Sequence, residues 1–375
     1  MWKTEPGSTG RLVQLSLAMF SFYVIFGVAT KAFTGPTAVV VPQMSGMSFT
    51  VWSTLGGSLM CLAVVFLGGW YRGKSTRHLS LGSLKVPSEM AYIIPSGLFT
   101  AIIIPTTTLL YILLKSVMVA MVIMRASVIL SSRLVDEIQK RQGILKKRVY
   151  WEENVAVAFA LAAASTQILL AKSGDFDFVH NKAALLVLGA FVLAYALRIY
   201  IMNYYRNTRS PGAEQNNKWY FSIEQISASS ALLIAALFFL HSGLHARPVV
   251  ELQAAVGSPD AHWPLATVVG MIYGMVAFFG VFIFMFKGRT ATFSGLAYSE
   301  TSLAAGTAAT LISAFVYHAA FPSSADWGSL ALIAVAFTFL GLAERKRMLE
   351  LSADPELHQA VSEPLEQAAT VPAAR

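Results

Sequence analysis

Charge is scarce in this sequence. Only 13% of its 375 residues are Asp, Glu, Lys or Arg, against roughly a quarter in a soluble domain, so too few remain to coat a watery surface. Cysteine occurs once, as Cys61 within an apolar stretch, which excludes a disulfide framework and a cysteine-based metal site. The chain has no HExxH, so it does not carry a zincin-type site. No N-x-[ST] sequon falls in an external connection, which fits a bacterial cytoplasmic membrane better than a secretory one. The net charge of +8 is not a nucleic-acid footprint, because the basic residues are dispersed among short links between apolar segments.

Hydrophobic length is what the sequence has. Hydrophobic residues make up 55% of it, and a helix needs about 20 such residues to cross the hydrocarbon core. Ten segments qualify: 12–33, 47–70, 90–114, 116–133, 151–171, 183–205, 219–241, 264–286, 291–321 and 327–343. Residues 1–10 are polar and the first segment is as long as the later ones, so it is expected to stay rather than be cleaved. From Glu344 the chain is rich in Ala, Glu, Pro and Gln, and 348–375 is expected to be a disordered cytoplasmic tail. Lys and Arg retained in cytoplasmic loops set orientation. One set of alternate connections holds Lys3, Arg11, Arg72, Lys74, Arg133, Lys146, Arg206, Lys287, Arg345 and most of the others, and the opposite set only Lys31, Lys115, Lys172, Lys182 and Arg247. Both termini should therefore be cytoplasmic, which demands an even number of crossings. The expected fold is an all-α integral membrane protein with ten transmembrane helices in two inverted five-helix repeats, 1–175 and 176–347. A faint internal likeness agrees: Tyr111–Arg125 and Ile283–Ala297 each place a lysine, Lys115 or Lys287, at a tight helix connection.

The segment SVMVAMVIMRASVILSSRL (Ser116–Leu134), followed by a basic loop and another apolar helix, resembles the fourth-helix region of the drug/metabolite transporter superfamily, in its EamA-like and nucleotide-sugar-transporter-like branches. Met124, Arg125, Ala126 and Ser127 stand at the place of a Met-x-Arg-Gly-Ser-type motif, with Ala in place of Gly. FKGRTATFSGLAYSETSLAAGTAATLISAF (Phe286–Phe315) is similar to the family's short link between helices eight and nine and its small-residue ninth helix. The resemblance spans residues 11–343. It implies a ten-helix bundle of two inverted repeats with alternating access around a central cavity.

An ionisable side chain inside a span costs about 2.5–3.5 kcal/mol on insertion scales, which makes each one a functional candidate. Arg125 lies near the middle of the fourth segment, Arg198 in the inner half of the sixth, Glu224 in the seventh and Glu300 in the ninth. Two roles are open to them: neutralising one another, or meeting solute and protons. Pro95 and Pro105 in the third segment each free a backbone carbonyl, with Thr106, Thr107 and Thr108 nearby to bond it or a ligand. Ser299, Glu300, Thr301 and Ser302 form the most polar run in any span. The candidate substrate-binding set is Arg125, Arg198, Glu224, Glu300, Ser299, Thr107 and Tyr111. Tyr195, Tyr200, Tyr204, Tyr205, Tyr273 and Tyr298 can stack on a planar ligand or simply pack. Trp70, Trp151, Trp219, Trp263 and Trp327 fall at span ends as an aromatic belt does, while Lys31 and Lys115 are placed to snorkel. Gly270 and Gly274 form a GxxxG that predicts helix packing and leaves a homodimer open. His241, His245 and His262 in an external connection read as exposed loop residues rather than a metal site.

These features favour a secondary transporter of a small organic metabolite, driven by protons or by exchange, over a lipid flippase or a polytopic membrane enzyme acting on lipids. An enzyme would need acids, histidines or a nucleophile converging at one face, and a retinal protein a lysine deep in a late helix, where Lys287 is not. No cofactor and no metal is expected; the partners expected are the solute and membrane lipids, not nucleic acid.

Overall fold

Apolar segments of this length in a bilayer must satisfy their backbone groups internally, which a helix does. The computed structural model describes residues 7–34, 43–73, 78–81, 84–113, 117–145, 147–169, 182–208, 215–318, 321 and 324–353. Among them are eleven α-helices: α1 (Thr9–Thr34), α2 (Gly46–Leu67), α3 (Met90–Leu113), α4 (Val117–Arg141), α5 (Trp151–Leu169), α6 (Lys182–Asn207), α7 (Asn217–His241), α8 (Arg247–Gly257), α9 (Trp263–Phe284), α10 (Ala291–Tyr317) and α11 (Ser324–Ala353). A hairpin of β1 (His78–Leu81) and β2 (Leu84–Pro87) joins α2 to α3, with His78 opposite Pro87.

Seven helices, α1, α2, α3, α6, α7, α9 and α11, are long and apolar enough to cross a membrane, so the chain is a multi-pass integral membrane protein. The other long helices are more polar. Arg125, Arg133 and Asp136 lie on α4, α5 opens with Glu152 and Glu153, and α10 is built largely of Ala, Gly, Ser and Thr. A polar composition is tolerated in α10 because α1, α4, α5, α9 and α11 surround it and it is buried along most of its length. On the outside the pattern inverts: Leu67, Leu186, Leu193, Ile234, Phe238 and Phe315 are exposed, the surface a lipid-facing bundle presents.

Small residues set the closest crossings. At the contact of α2 with α9, a Cβ on Gly56 would lie 1.9 Å from the Thr267 carbonyl oxygen and one on Gly270 2.1 Å from that of Ser53. The Gly270/Gly274 face is thus occupied by α2 of the same chain. A Cβ on Gly97 of α3 would meet Ser227 Oγ of α7 at 1.9 Å. Further packing joins α1 to α9 and α10, α6 to α3 and α4, α3 to α7, α4 to α10, and α5 to α11.

Each expected segment coincides with a helix, but several ends move. α2 stops at Leu67 before Gly69, whose φ of 65° breaks the helix. α4 runs on to Arg141 and α11 to Ala353, where a basic loop and an unstructured tail were expected; both extensions are held by polar contacts described below. Residues 354–375 lie outside the described residues. The hairpin and α8 stand where plain connections were expected. Among the tryptophans, Trp151, Trp263 and Trp327 are exposed as belt residues are, but Trp219 is buried against Gly73 rather than lying at the lipid surface. Lys31 donates to Thr310 Oγ1 on α10 at 3.0 Å, an alternative to snorkelling outward; Lys115 lies outside the described residues.

Candidate functional site

Near the middle of the helices, α2, α3, α6, α7, α9 and α10 enclose a cavity of about 70 Å³. That is room for a few waters and less than a small organic solute occupies. Ser58 and Cys61 from α2, Thr100 from α3, Tyr195 and Arg198 from α6, Gln225 and Ser229 from α7, Tyr273 from α9 and Tyr298 from α10 contribute to its wall.

Charge on this wall is paired. Arg198 grips Glu224 bidentately, Nε to Oε1 at 2.9 Å and Nη2 to Oε2 at 3.0 Å, and Glu224 is fully buried. The same Oε1 accepts from Ser96 Oγ at 2.8 Å and Thr100 Oγ1 at 3.3 Å, and Ser96 is hydrogen-bonded to Tyr220 OH at 2.8 Å. Ser96 and Thr100 are four residues apart and so share the face of α3 turned toward α7. The close crossing at Gly97 brings that face within reach. Arg125 stands behind the wall. Its guanidinium lies 5.7 Å from the Tyr23 ring centre and 4.9 Å from that of Tyr298, and it donates to Tyr23 OH at 2.8 Å. Tyr195 OH reaches Tyr298 OH at 3.2 Å, so the Arg125 charge meets the cavity through a phenol.

The remaining candidates separate. Ser299 Oγ points to the Arg125 carbonyl at 3.5 Å. Thr107 Oγ1 donates to the carbonyl of Ile103 in its own helix at 2.7 Å, which spends the hydroxyl on α3. Glu300 is fully buried, is absent from the cavity wall, and has no hydrogen-bond partner at either carboxylate oxygen among the described residues. The Tyr111 side chain lies outside the described residues. His241 Nδ1 is 2.9 Å from the carbonyl of Leu237 in its own helix.

A second polar layer, toward the basic links, was not anticipated. Asp136 on α4 accepts from the backbone N–H groups of Ala291 at 2.9 Å and Thr292 at 2.6 Å, the positive end of the α10 dipole. It also accepts from Asn203 Nδ2 on α6 at 3.3 Å. Arg206 on α6 donates to the carbonyls of Phe284 at 2.9 Å and Phe286 at 3.0 Å, at the negative end of α9. Thr290 Oγ1 donates to Glu153 on α5 at 2.7 Å, and Arg289 is paired with Glu344 on α11, to which Thr9 Oγ1 on α1 also donates at 2.9 Å. Arg347 lies 3.7 Å from Glu153. The turn joining α9 to α10 is therefore held from α4, α5, α6 and α11 at once. The spacings Asp136/Gln139 and Asn203/Arg206, each three apart, were a signal for this layer, but only if α4 is read past Arg133.

Lys147 borders this layer and titrates. By area the residue is only partly buried, but its ammonium turns inward to Asn207 Oδ1 at 3.0 Å. Burial pushes its pKa down to about 7, with Arg206 and Arg347 acting the same way and Asp136 against them. An unfolded lysine holds its proton to about 10.4, so between those values the unfolded chain binds a proton that the folded chain lacks, and stability rises with pH. Thermal melts in detergent should therefore show Tm climbing from pH 7 to pH 9, and climbing less in Lys147→Met. Equal slopes in the two proteins would mean that the folded lysine stays charged.

No family model and no curated protein matches the sequence. A solved structure described only as a crystal structure of a protein superposes with a TM-score of 0.54 at 16% identity, covering 90% of this chain and 99% of that one. The two chains share a fold.

Proposed function

We propose that the protein is a secondary transporter of the drug/metabolite type, with ten spans in two inverted repeats, that moves a small organic metabolite by alternating access. The observation that carries the reading is the central cavity, walled from both halves of the chain and lined by an arginine neutralised from behind by Glu224, by hydroxyls and by tyrosine rings. The order of helix packing supports the repeats. If α1–α5 correspond to α6, α7, α9, α10 and α11, then α2 on α9 mirrors α7 on α3, α1 on α10 mirrors α6 on α4, and α1 on α9 mirrors α6 on α3. The lengths of α4, α5 and α10, 25, 19 and 27 residues, suffice to cross at 1.5 Å per residue.

With the basic links on the cytoplasmic side of a bacterial inner membrane, the polar layer around the α9–α10 turn is a closed inner gate. Arg198 is spent on Glu224, so the solute is offered hydroxyl, amide and phenol groups with the Arg125 charge behind Tyr298. That favours a polar, partly aromatic or flat metabolite with at most modest negative charge.

The test is a thermal-shift screen of purified protein against metabolites. A ligand at a hundredfold excess over its Kd should stabilise the wild type by about 2.7 kcal/mol and have little effect on Arg125→Ala or Gln225→Ala. A shift produced only by a lipid, equal in all three proteins, would replace the carrier reading with lipid handling.

A further inference from the structure

Glu300 sits two residues beyond Tyr298 on α10. At about 100° per residue the two side chains point to nearly opposite faces of the helix. Tyr298 faces the solute cavity; Glu300 faces away from it, with both carboxylate oxygens buried and unbonded among the described residues. One turn toward Glu300's inner side, Leu296 and Ala297 belong to an apolar cluster with residues of α1, α5 and α11. To the other side, Leu303 one turn away and Thr307 two turns away line a second cavity of about 20 Å³ between α4, α5, α10 and α11, with Ser329 across it. That volume is enough for one water.

The charged and titratable groups on the surrounding helices are committed elsewhere. Arg125 of α4 is turned to Tyr23 of α1 and to Tyr298, Lys31 of α1 to Thr310, and Tyr273 of α9 to the solute cavity and the Phe26 ring. Arg11, Arg133, Asp136, Glu137, Lys140 and Arg141 lie toward the basic ends of α1 and α4, as do Glu152 and Glu153 at the start of α5, and Glu344, Arg345, Lys346, Arg347 and Glu350 near the end of α11. Asp326, at the start of α11, has its side chain outside the described residues. An ionised carboxylate with no partner in such a place is very costly, whereas a carboxylic acid is tolerated.

We propose that Glu300 binds and releases the coupling proton, at a site set apart from the solute cavity on the far face of α10. This rests on the carrier reading above. When the site is open to one side, the carboxylate takes a proton from hydronium, forming an O–H bond and leaving water. When it opens to the other side, that bond breaks to a water in the small cavity and hydronium carries the proton away. The solute and the proton then act on one helix from two faces. Tyr298 reports the first and Glu300 the second, so α10 can move between inward and outward forms only when both sites are in matching states.

Dicyclohexylcarbodiimide tests the proposal without a known solute, because it enters lipid and modifies protonated carboxyl groups. Wild-type protein in liposomes should be labelled at Glu300, read by peptide mass spectrometry, with labelling lost progressively as the pH is raised from 6 to 9 and a titrating acid gives up its proton. Glu300→Asp should retain a pH-dependent label at the same peptide. No label at any pH, or a label that is constant across the range, would overturn the proposal and make Glu300 a fixed structural acid. Metabolite-induced thermal shifts would stand or fall independently of the labelling, so failure of the proton site and failure of the carrier reading are separable.

Discussion

Replacing Glu224 by alanine should cost about 3–5 kcal/mol of stability, the usual penalty for stranding one member of a buried ion pair. The magnitude follows from what is left behind. The Arg198 guanidinium, nearly buried on α6, would lose two hydrogen bonds at 2.9 and 3.0 Å, and Ser96 and Thr100 would lose their common acceptor. No other carboxylate of the described residues lies within ion-pair distance of Arg198. The double variant Arg198→Met with Glu224→Met should recover most of the loss, because two apolar side chains of similar bulk bring no charge out of water. Unfolding of the purified protein in mixed micelles measures both. A Glu224→Ala protein within about 1 kcal/mol of wild type would mean that water reaches the pair and screens it.

Gly270→Leu should also be strongly destabilising, for a steric reason. A Cβ at this position already falls 2.1 Å from a backbone oxygen and 2.6 Å from the Cα of Ser53, and neither atom can swing aside as a side chain end can. The α2–α9 crossing must open, and with it the contacts of Gly56, Gly57 and Gly274 along the same seam. Overpacking of this kind costs about 1–3 kcal/mol and sometimes more; a whole helix interface places this variant at the upper end. Gly189 in α6 is the control, since nothing lies within 4 Å of a Cβ built there. Gly189→Ala should be neutral or stabilise by up to about 1 kcal/mol. Similar melting temperatures for Gly270→Leu and wild type would show that α2 and α9 are not locked together at this distance.

The two variants probe features of different visibility in the sequence. Gly270 and Gly274 announce a close helix approach by their spacing, but α2 as the partner, rather than a second copy of the chain, follows from three-dimensional packing alone. Glu224 and Arg198 announce themselves as costly intramembrane charges. That Glu224 takes Arg198 and not Arg125 depends on how α6 and α7 are turned about their axes, which local sequence does not record. Arg125 found tyrosines instead, from α1 and α10, more than a hundred residues away in the chain. Trp219 shows the reverse error: its place at a segment end suggested lipid, and only burial against Gly73 revealed a core residue.

The long helices were determined by the sequence itself. Each apolar run of bilayer length must close its own backbone hydrogen bonds, so existence and approximate position follow from composition with little help from neighbours. The ends of α4 and α11 did not follow in this way. Asp136 and Gln139, Glu344 and Arg347 read as solvated loop and tail, because a polar residue is written the same way whether it meets water or a buried partner. The tertiary structure decided between those outcomes by bringing the first turn of α10, the last carbonyls of α9 and the side chains of α6 against them. It decided likewise that Glu300, equal in sequence to Glu224 as a buried acid, has no such partner among the described residues. Hydrophobicity acts on one segment at a time, whereas the pairing of charges is a property of two surfaces that meet only when the bundle has formed.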